Sequence, residues 1–291
     1  MLLGVFITAL LKVVVHQHQR SAVQRLSEHG LNTVKIGYTM AIKPAPLVID
    51  PQPMRLSRIF VDTPLTPGLL QLPEQQAHYL TRVLRLSQGD PVQLFDGSGQ
   101  EYFGQLIEVS KKQTRVELTE QRPGLAESPL KVHLGQVLSK GERFDWALQK
   151  ATELGVTQIT PLFSERCEVR LATERSEKRL AHWRQVVISA CEQCGRSKIP
   201  QVAPPMPLKD WQQLDCQLKL VLSPTANALG EQPRPHSLAL LIGPEGGLTD
   251  AEVAAAQTSG FIALGLGPRV LRTETAPLVA LSVAQYLWGD F

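Results

Sequence analysis

The stretch Leu241–Leu281, LIGPEGGLTDAEVAAAQTSGFIALGLGPRVLRTETAPLVAL, decides the fold of this chain. It holds two glycine-rich turns, Gly243–Gly247 and Gly265–Pro268. Each directly follows an apolar run of strand length, Leu238–Ile242 and Phe261–Leu264, and each precedes a helical pattern. Strand, bare backbone turn and helix in succession is the α/β pattern, whose ligand crevices lie at the carboxyl ends of parallel strands. Glycines at such ends let main-chain amides approach a ligand closely. The two turns together predict one shared small-molecule pocket.

Neither turn fits the familiar phosphate-binding patterns. A P-loop requires G-x-x-x-x-G-K-[ST], and no Lys-Ser or Lys-Thr follows either cluster. A dinucleotide fingerprint requires G-x-G-x-x-G, whereas Gly265-Leu-Gly267-Pro-Arg-Val270 has no third glycine and follows the last strand, not the first.

Outward from this stretch, strands alternate with helices from Leu130 on, which predicts a mainly parallel sheet. The expected strands are Val132–Leu138, Gln158–Phe163, Lys219–Leu222 and Leu238–Ile242. Helices are expected over Arg143–Leu154 and Thr173–Cys194, stopped by Gly155 and Gly195. Thr249-Asp-Ala-Glu252 reads as a capping box, and the last helix starts at Thr273–Thr275 with Pro277 in its first turn. Met54–Gln121 reads as a smaller β-rich domain, with a helix over Glu74–Leu86 and strands Val92–Phe95, Tyr102–Val109 and Thr114–Leu118. A meander of this size is expected to close into a barrel, which removes exposed edges. Arg122–Pro129 is the linker.

The 291 residues carry a net charge of only +3, so affinity for nucleic acid must come from local patches. Four cysteines in such a length make no disulfide scaffold, which fits a reducing cytoplasm. Cys191-Glu-Gln-Cys194 is a lone CxxC and lacks the second pair a structural zinc site needs, so it reads as helix packing and no metal is expected. Residues 1–53 read as an extension outside the fold. Leu2–Val15 is apolar but shorter than the ~20 residues of a membrane span, and Lys43–Pro53 is a proline-rich break before MRLSRIF.

IGPEGGLT and LGPRVLRTETA, with Ala190-Cys-Glu-Gln-Cys-Gly-Arg196 and Leu162-Phe-Ser-Glu-Arg-Cys167 upstream, resemble the bacterial small-subunit ribosomal RNA uracil-N3 methyltransferase family. The resemblance runs from about Met54 to Phe291 and holds several separated motifs in order. It implies a PUA-like β-barrel over residues 54–122 that binds RNA, and a trefoil-knotted SPOUT methyltransferase domain over 130–291. It further implies S-adenosylmethionine as methyl donor, 16S ribosomal RNA in the assembled or nearly assembled 30S subunit as substrate, a homodimer, and action in the cytoplasm away from membranes. The positions matching the family's donor loops are Leu222, Ser223, Gly243, Glu245, Gly246, Gly247, Leu264, Leu266, Gly267, Leu271 and Thr273. A ribose 2′-O-methylating relative and a non-catalytic assembly factor remain as alternatives.

N3 of uracil must lose its proton before it attacks a methyl group, so catalysis calls for a base, or for cations that stabilise the uracil anion. Arg272 and Glu274, beside the second glycine turn, are the first candidates, and the alternative for them is an ion pair that braces the turn. Glu192 and Arg196, four residues apart on one helix, are the second, with an ordinary surface pair as the alternative. RNA contact is expected at Arg58, Arg82, Arg85 and Arg166, with Arg82 and Arg85 on one helix face. Segment Phe163–Pro200 is locally basic, with eight Lys or Arg against five Glu.

Overall fold

The computed structural model describes residues 56–110, 113–170 and 173–291, and for residues 173–175 the backbone alone. The expected extension, residues 1–53, lies outside the described residues.

The larger sheet is built from β6 (Lys131–Val137), β7 (Gln158–Phe163), β8 (Gln201–Val202), β9 (Met206–Pro207), β10 (Leu218–Leu222), β11 (Ser237–Ile242) and β12 (Ile262–Leu264). Its order is β12-β10-β11-β6-β7-β8, with β9 also on β7, and every pairing is parallel. Strands covered on both faces read as unbroken apolar runs, and Leu238–Ile242 is at most 1% exposed throughout. Between the strands lie α2 (Arg143–Glu153), α3 (Thr173–Cys194), α4 (Leu208–Trp211), α5 (Asp250–Thr258) and finally α6 (Thr275–Trp288). The capping box forms as expected, with the Thr249 hydroxyl accepting from the Glu252 amide and the Glu252 carboxylate accepting from the Thr249 amide. Gly155 and Gly195 end α2 and α3 at φ +81° and +92°, the left-handed region that glycine enters without strain.

Alternation along β6 sends its side chains to opposite faces. On one face Gly135 leaves room for the Trp211 ring; a Cβ there would lie 2.5 Å from it. The Trp211 indole donates to His133 Nε2 at 3.0 Å, and Thr160 Oγ1 lies 2.8 Å from the same nitrogen. An indole nitrogen only donates, so His133 Nε2 is unprotonated and the ring is neutral. On the other face Gln136 reaches the last segment of the chain.

The smaller sheet comprises β1 (Ser57–Phe60), β2 (Gly68–Gln71), β3 (Pro91–Phe95), β4 (Gln100–Val109) and β5 (Thr114–Pro123) in the order β1-β3-β4-β5-β2. The β1–β3 pair is parallel and the others antiparallel. Its edges, β1 and β2, are not paired with each other among the described residues, so hydrogen bonds do not complete the expected ring. Strand β2 carries no alternating pattern in the sequence.

The helix expected over Glu74–Leu86 is shorter. It runs as α1 (Glu74–His78) and one wide turn, Tyr79–Val83, in which the Leu84 amide donates to Tyr79 O. The Leu86 amide then closes on Leu80 O at 2.9 Å, with Arg85 at φ +57°. This is the helix-ending turn in which a left-handed residue, normally glycine, sits just past the last turn. Arg82 and Arg85 therefore do not share a helix face; Arg85 lies beyond the helix, and both are exposed.

The two sheets share a core. Phe60 and Phe95, from β1 and β3, pack with the apolar residues of the parallel sheet, and the described residues belong to one compact unit. Arg58 spans the junction: its Nη2 donates to Glu101 and to Ser197 Oγ, each at 2.9 Å, and its guanidinium lies 4.9 Å from the Phe95 ring centre. The Phe60 amide donates to the Glu192 carboxylate at 3.0 Å.

Burial pushes the His133 pKa down to about 4. Between that value and its usual 6.5 the unfolded chain binds a proton that the folded one refuses, so the stability from neutral His133 is full above pH 6.5 and lost as pH falls toward 4. Urea unfolding should show this loss, at most about 3 kcal/mol, between pH 7 and 4.5. His133→Gln should flatten it, and an unchanged profile in that variant would contradict the assignment.

Candidate active site at the carboxyl ends of three parallel strands

Neighbouring strands β12, β10 and β11 all end at the same edge of the sheet, and a cavity of about 580 Å³ opens beyond their last residues. The segment after β10 contributes Leu222 and Ser223, that after β11 contributes Gly243 and Glu245–Gly247, and that after β12 contributes Leu264, Leu266 and Gly267. The chain then passes along the cavity from Arg269 to Glu274 before entering α6, adding Leu271, Arg272 and Thr273. The cavity thus brings together all the positions expected to hold the donor, along with Arg272 and Glu274.

Hydrogen bonds between the turns fix its shape. Thr273, 6% exposed, donates its hydroxyl proton to Gly243 O at 2.8 Å and accepts from Gln136 Nε2 at 3.1 Å. The Ser223 amide donates to Leu264 O at 3.0 Å, and the Gly265 amide to Asn227 O at 2.8 Å. Gly265 is needed for this contact and not for access to a ligand, because a Cβ there would lie 2.0 Å from Ala226 O. Gly247 and Gly267, by contrast, stand at φ +70° and +102° with open space where a side chain would go.

The polar side chains divide by their partners. Glu245 is held from α2, accepting from Arg143 Nη1 at 2.9 Å and from the Lys140 amide at 3.3 Å. Arg166 Nη1 donates to Gly246 O at 3.0 Å, so this exposed arginine rests on the first glycine turn. Glu274 Oε2 is enclosed and has no hydrogen-bond partner among the described residues. Arg272 is exposed, and no ion pair joins it to Glu274 among the described residues. The turn is braced instead by the Thr275 and Ala276 amides, both donating to Arg272 O at 2.9 Å.

Three expected site residues, Arg196, Arg58 and Glu192, do not line this cavity, and Glu192 accepts from the Phe60 amide instead. Arg196 is 6% exposed; it pairs with Glu127 and donates to Thr152 O and Val156 O at 2.9 and 2.8 Å. With these partners its guanidinium is committed to joining the linker, α2 and α3, and it does not face the cavity. Arg58 is committed to the junction between the sheets, so its charge is not offered to RNA. Sequence reasoning missed Gln136, which shapes the site from the middle of β6, and Arg143, which neutralises Glu245; neither sits in a motif. Cys191 is fully buried, and burial pushes its thiol up to about 12. Among the described residues no cluster of side chains could hold a metal ion, and no helix is long and apolar enough to cross a membrane.

Gly265→Ala should lower unfolding free energy by roughly 2 kcal/mol or more, through backbone overlap. Gly246→Ala, whose Cβ would meet Arg166 at an ordinary 3.5 Å, should cost less than half as much. Equal losses in urea unfolding would contradict the distinction.

Comparisons with known proteins agree with this geometry. Residues 126–285 match the RNA methyltransferase domain family and residues 72–119 the RNA methyltransferase PUA domain family. The chain is 36% identical to ribosomal RNA small subunit methyltransferase E of Buchnera aphidicola subsp. Schizaphis graminum, over 81% of this chain and 98% of that protein. It is 34% identical to the protein of that name from Bacillus subtilis, over 73% and 88%. The crystal structure of the Neisseria gonorrhoeae enzyme of that name, bound to S-adenosyl methionine, superposes with a TM-score of 0.76 at 40% identity, covering 81% of this chain and 99% of that one.

Proposed function

The chain belongs to the ribosomal RNA small subunit methyltransferase E family, and we propose that it transfers a methyl group from S-adenosylmethionine to N3 of one uridine in 16S ribosomal RNA. The observation that carries this reading is the cavity beyond β10, β11 and β12, which joins backbone turns to an unpaired arginine and an unpartnered carboxylate oxygen.

The residues present suit the donor. Exposed main-chain groups of Gly246, Gly247 and Gly267 suit an adenine edge, and Leu222, Leu264, Leu266 and Leu271 suit its faces and the ribose. The carboxylate of Glu274 favours a nearby sulfonium cation. A volume of about 580 Å³ lies within the range of small-molecule sites. When bound, the donor supplies an electrophilic methyl group. The protein's task is then to present uracil as its N3 anion. Glu274 Oε2 takes the N3 proton, and the Arg272 guanidinium stabilises the negative charge spread over the two uracil carbonyl oxygens. Thr273, between them, acts through Gly243 and Gln136 by keeping the turns in register.

Residues 54–122 form the RNA-docking module and 130–291 the methyl-transfer module, with 1–53 outside both. Arg85 supports docking by the small domain: an arginine sits where glycine would be less strained, a pattern expected when the side chain is needed. Arg82 and Arg166 extend the basic surface onto both modules. Charges spread in this way match phosphates already held in fixed relative positions, which favours the assembled or nearly assembled 30S subunit over free RNA. Val283, Tyr286 and Leu287 of α6, 46–55% exposed and spaced three and four residues apart, give one helix an uncovered apolar face that suits pairing with a second copy in a homodimer. Action on ribosomal subunits places the protein in the cytoplasm.

Glu274→Gln should retain donor affinity by calorimetry but lose roughly 100-fold or more in turnover, the usual scale for a lost general base. Gly246→Val should do the reverse at the first step, losing donor affinity at least tenfold while remaining folded. A Glu274→Gln variant with parental turnover, or a Gly246→Val variant with parental affinity, would refute these assignments.

A further inference from the structure

A second cavity, of about 420 Å³, lies where the small sheet and α1 face α3. Its floor is apolar, formed by Ile59, Phe60 and Ile188, and its deep end holds the Glu192 carboxylate. One oxygen of Glu192 accepts from the Phe60 amide; no protein group is bonded to the other among the described residues. Around the walls stand Gln75, Tyr79, Gln185 and Ser189, none with a side-chain hydrogen bond among the described residues. Tyr79 is 39% exposed, an aromatic ring left partly bare beside unpaired amides. At the mouth, Arg184 Nη2 of α3 meets Asp62, in the bend after β1, at 3.3 Å.

The cavity at the glycine turns is lined by none of these residues. The walls also cannot close up freely, because Arg58, the Phe60–Glu192 bond and the shared Phe60–Phe95 core fix the small sheet against α3. The cavity is thus built in advance, with a flat apolar floor, one aromatic ring, amide donors and acceptors, and a carboxylate at its end.

Sequence-specific RNA recognition works on unstacked bases, which stack on an aromatic ring and offer their edges to amides and carboxylates. We infer that this cavity binds one unpaired nucleotide of the substrate RNA that carries an amino-bearing base, guanine, adenine or cytosine. The base stacks on Tyr79, its exocyclic amine donates to the free oxygen of Glu192, and Gln75, Gln185 and Ser189 bond the remaining edge. Arg184 at the mouth, whose exposed pair with Asp62 is open to exchange, turns to the phosphate. Uracil has no exocyclic amine; its one donor on that edge, N3–H, is flanked by two carbonyl oxygens that would be set against the carboxylate, so the cavity discriminates against the base that is methylated. It therefore reads a neighbour of the target and not the target. This rests on the reading of the chain as an RNA methyltransferase.

The test binds RNA without the methyl donor, so that it does not depend on turnover. Guanosine, adenosine, cytidine and uridine 5′-monophosphates are titrated into the full chain labelled with nitrogen-15, following the side-chain amides of Gln75 and Gln185. At least one of the first three should shift them at millimolar concentration, and uridine monophosphate should not. Ser189→Trp, at an exposed helix position, fills the cavity without disturbing the core; it should abolish the shifts and weaken filter binding of protein-free 16S ribosomal RNA about tenfold, with parental donor affinity. Gln185→Glu, which changes no bulk, should weaken RNA binding in the same direction. RNA binding by Ser189→Trp equal to the parent, the result expected if a ribosomal protein occupied the cavity, would overturn the inference, as would amides that no monophosphate moves. If the parent binds RNA through the cavity but shows no methyl transfer, the functional reading fails and this one stands.

Discussion

The hydroxyl of Thr273 donates to Gly243 O and accepts from Gln136, and the site depends on that junction. Backbone turns at the ends of parallel strands hold no ligand unless they stay in register, and glycine-rich turns are the least able to hold themselves. Here each turn is tied to another: the β10 segment to Leu264 through Ser223, the β12 segment to Asn227 through Gly265, and the β11 segment to the last passage through Thr273. Because Gln136 belongs to the middle of the sheet, the register of the turns is referred back to the rigid core. A buried hydroxyl that both donates and accepts is satisfied only in this arrangement, so alternative packings of the last segment carry the cost of an unpaired polar group.

What could be read in advance shares one property: its cause lies within a few residues. Leu238–Ile242 announces a covered parallel strand, Thr249 and Glu252 announce a helix start, and Gly155 and Gly195 announce helix ends. The short elements β2, β8, β9 and α4 escape because two to four residues give no periodicity, whereas β12, equally short, is marked by the glycine turn that follows it. The early end of the first helix escapes for a different reason. Arg85 adopts a conformation that glycine normally marks, and an arginine there gives no local sign of it.

The same divide runs through the site. Positions on the glycine turns were legible because the turn marks itself in the sequence, and they converge on one cavity. The arginines were not, because their roles are set by partners far along the chain. Arg58 lies 139 residues from Ser197, and Arg196 lies 69 from Glu127. Buried behind those partners they hold the two sheets and the linker together, and losing either partner would strand a charge in a place water reaches poorly. Glu192 and Arg196 look like a helix-surface pair at a spacing of four, yet each faces a different neighbour.

This division of labour leaves few groups free for chemistry. Arg143 neutralises Glu245, Arg166 supports Gly246, and Thr273 is consumed by the turns, so among the described residues Arg269, Arg272 and Glu274 stand beside the cavity with unspent charge, and of these Glu274 is the one carboxylate. The most direct measurement is mass spectrometry of nucleosides from 30S subunits incubated with the protein and isotopically labelled S-adenosylmethionine, using subunits that lack the modification. The account predicts label in N3-methyluridine from 16S ribosomal RNA. Label in a ribose 2′-O-methyl nucleoside, or in none, would contradict it.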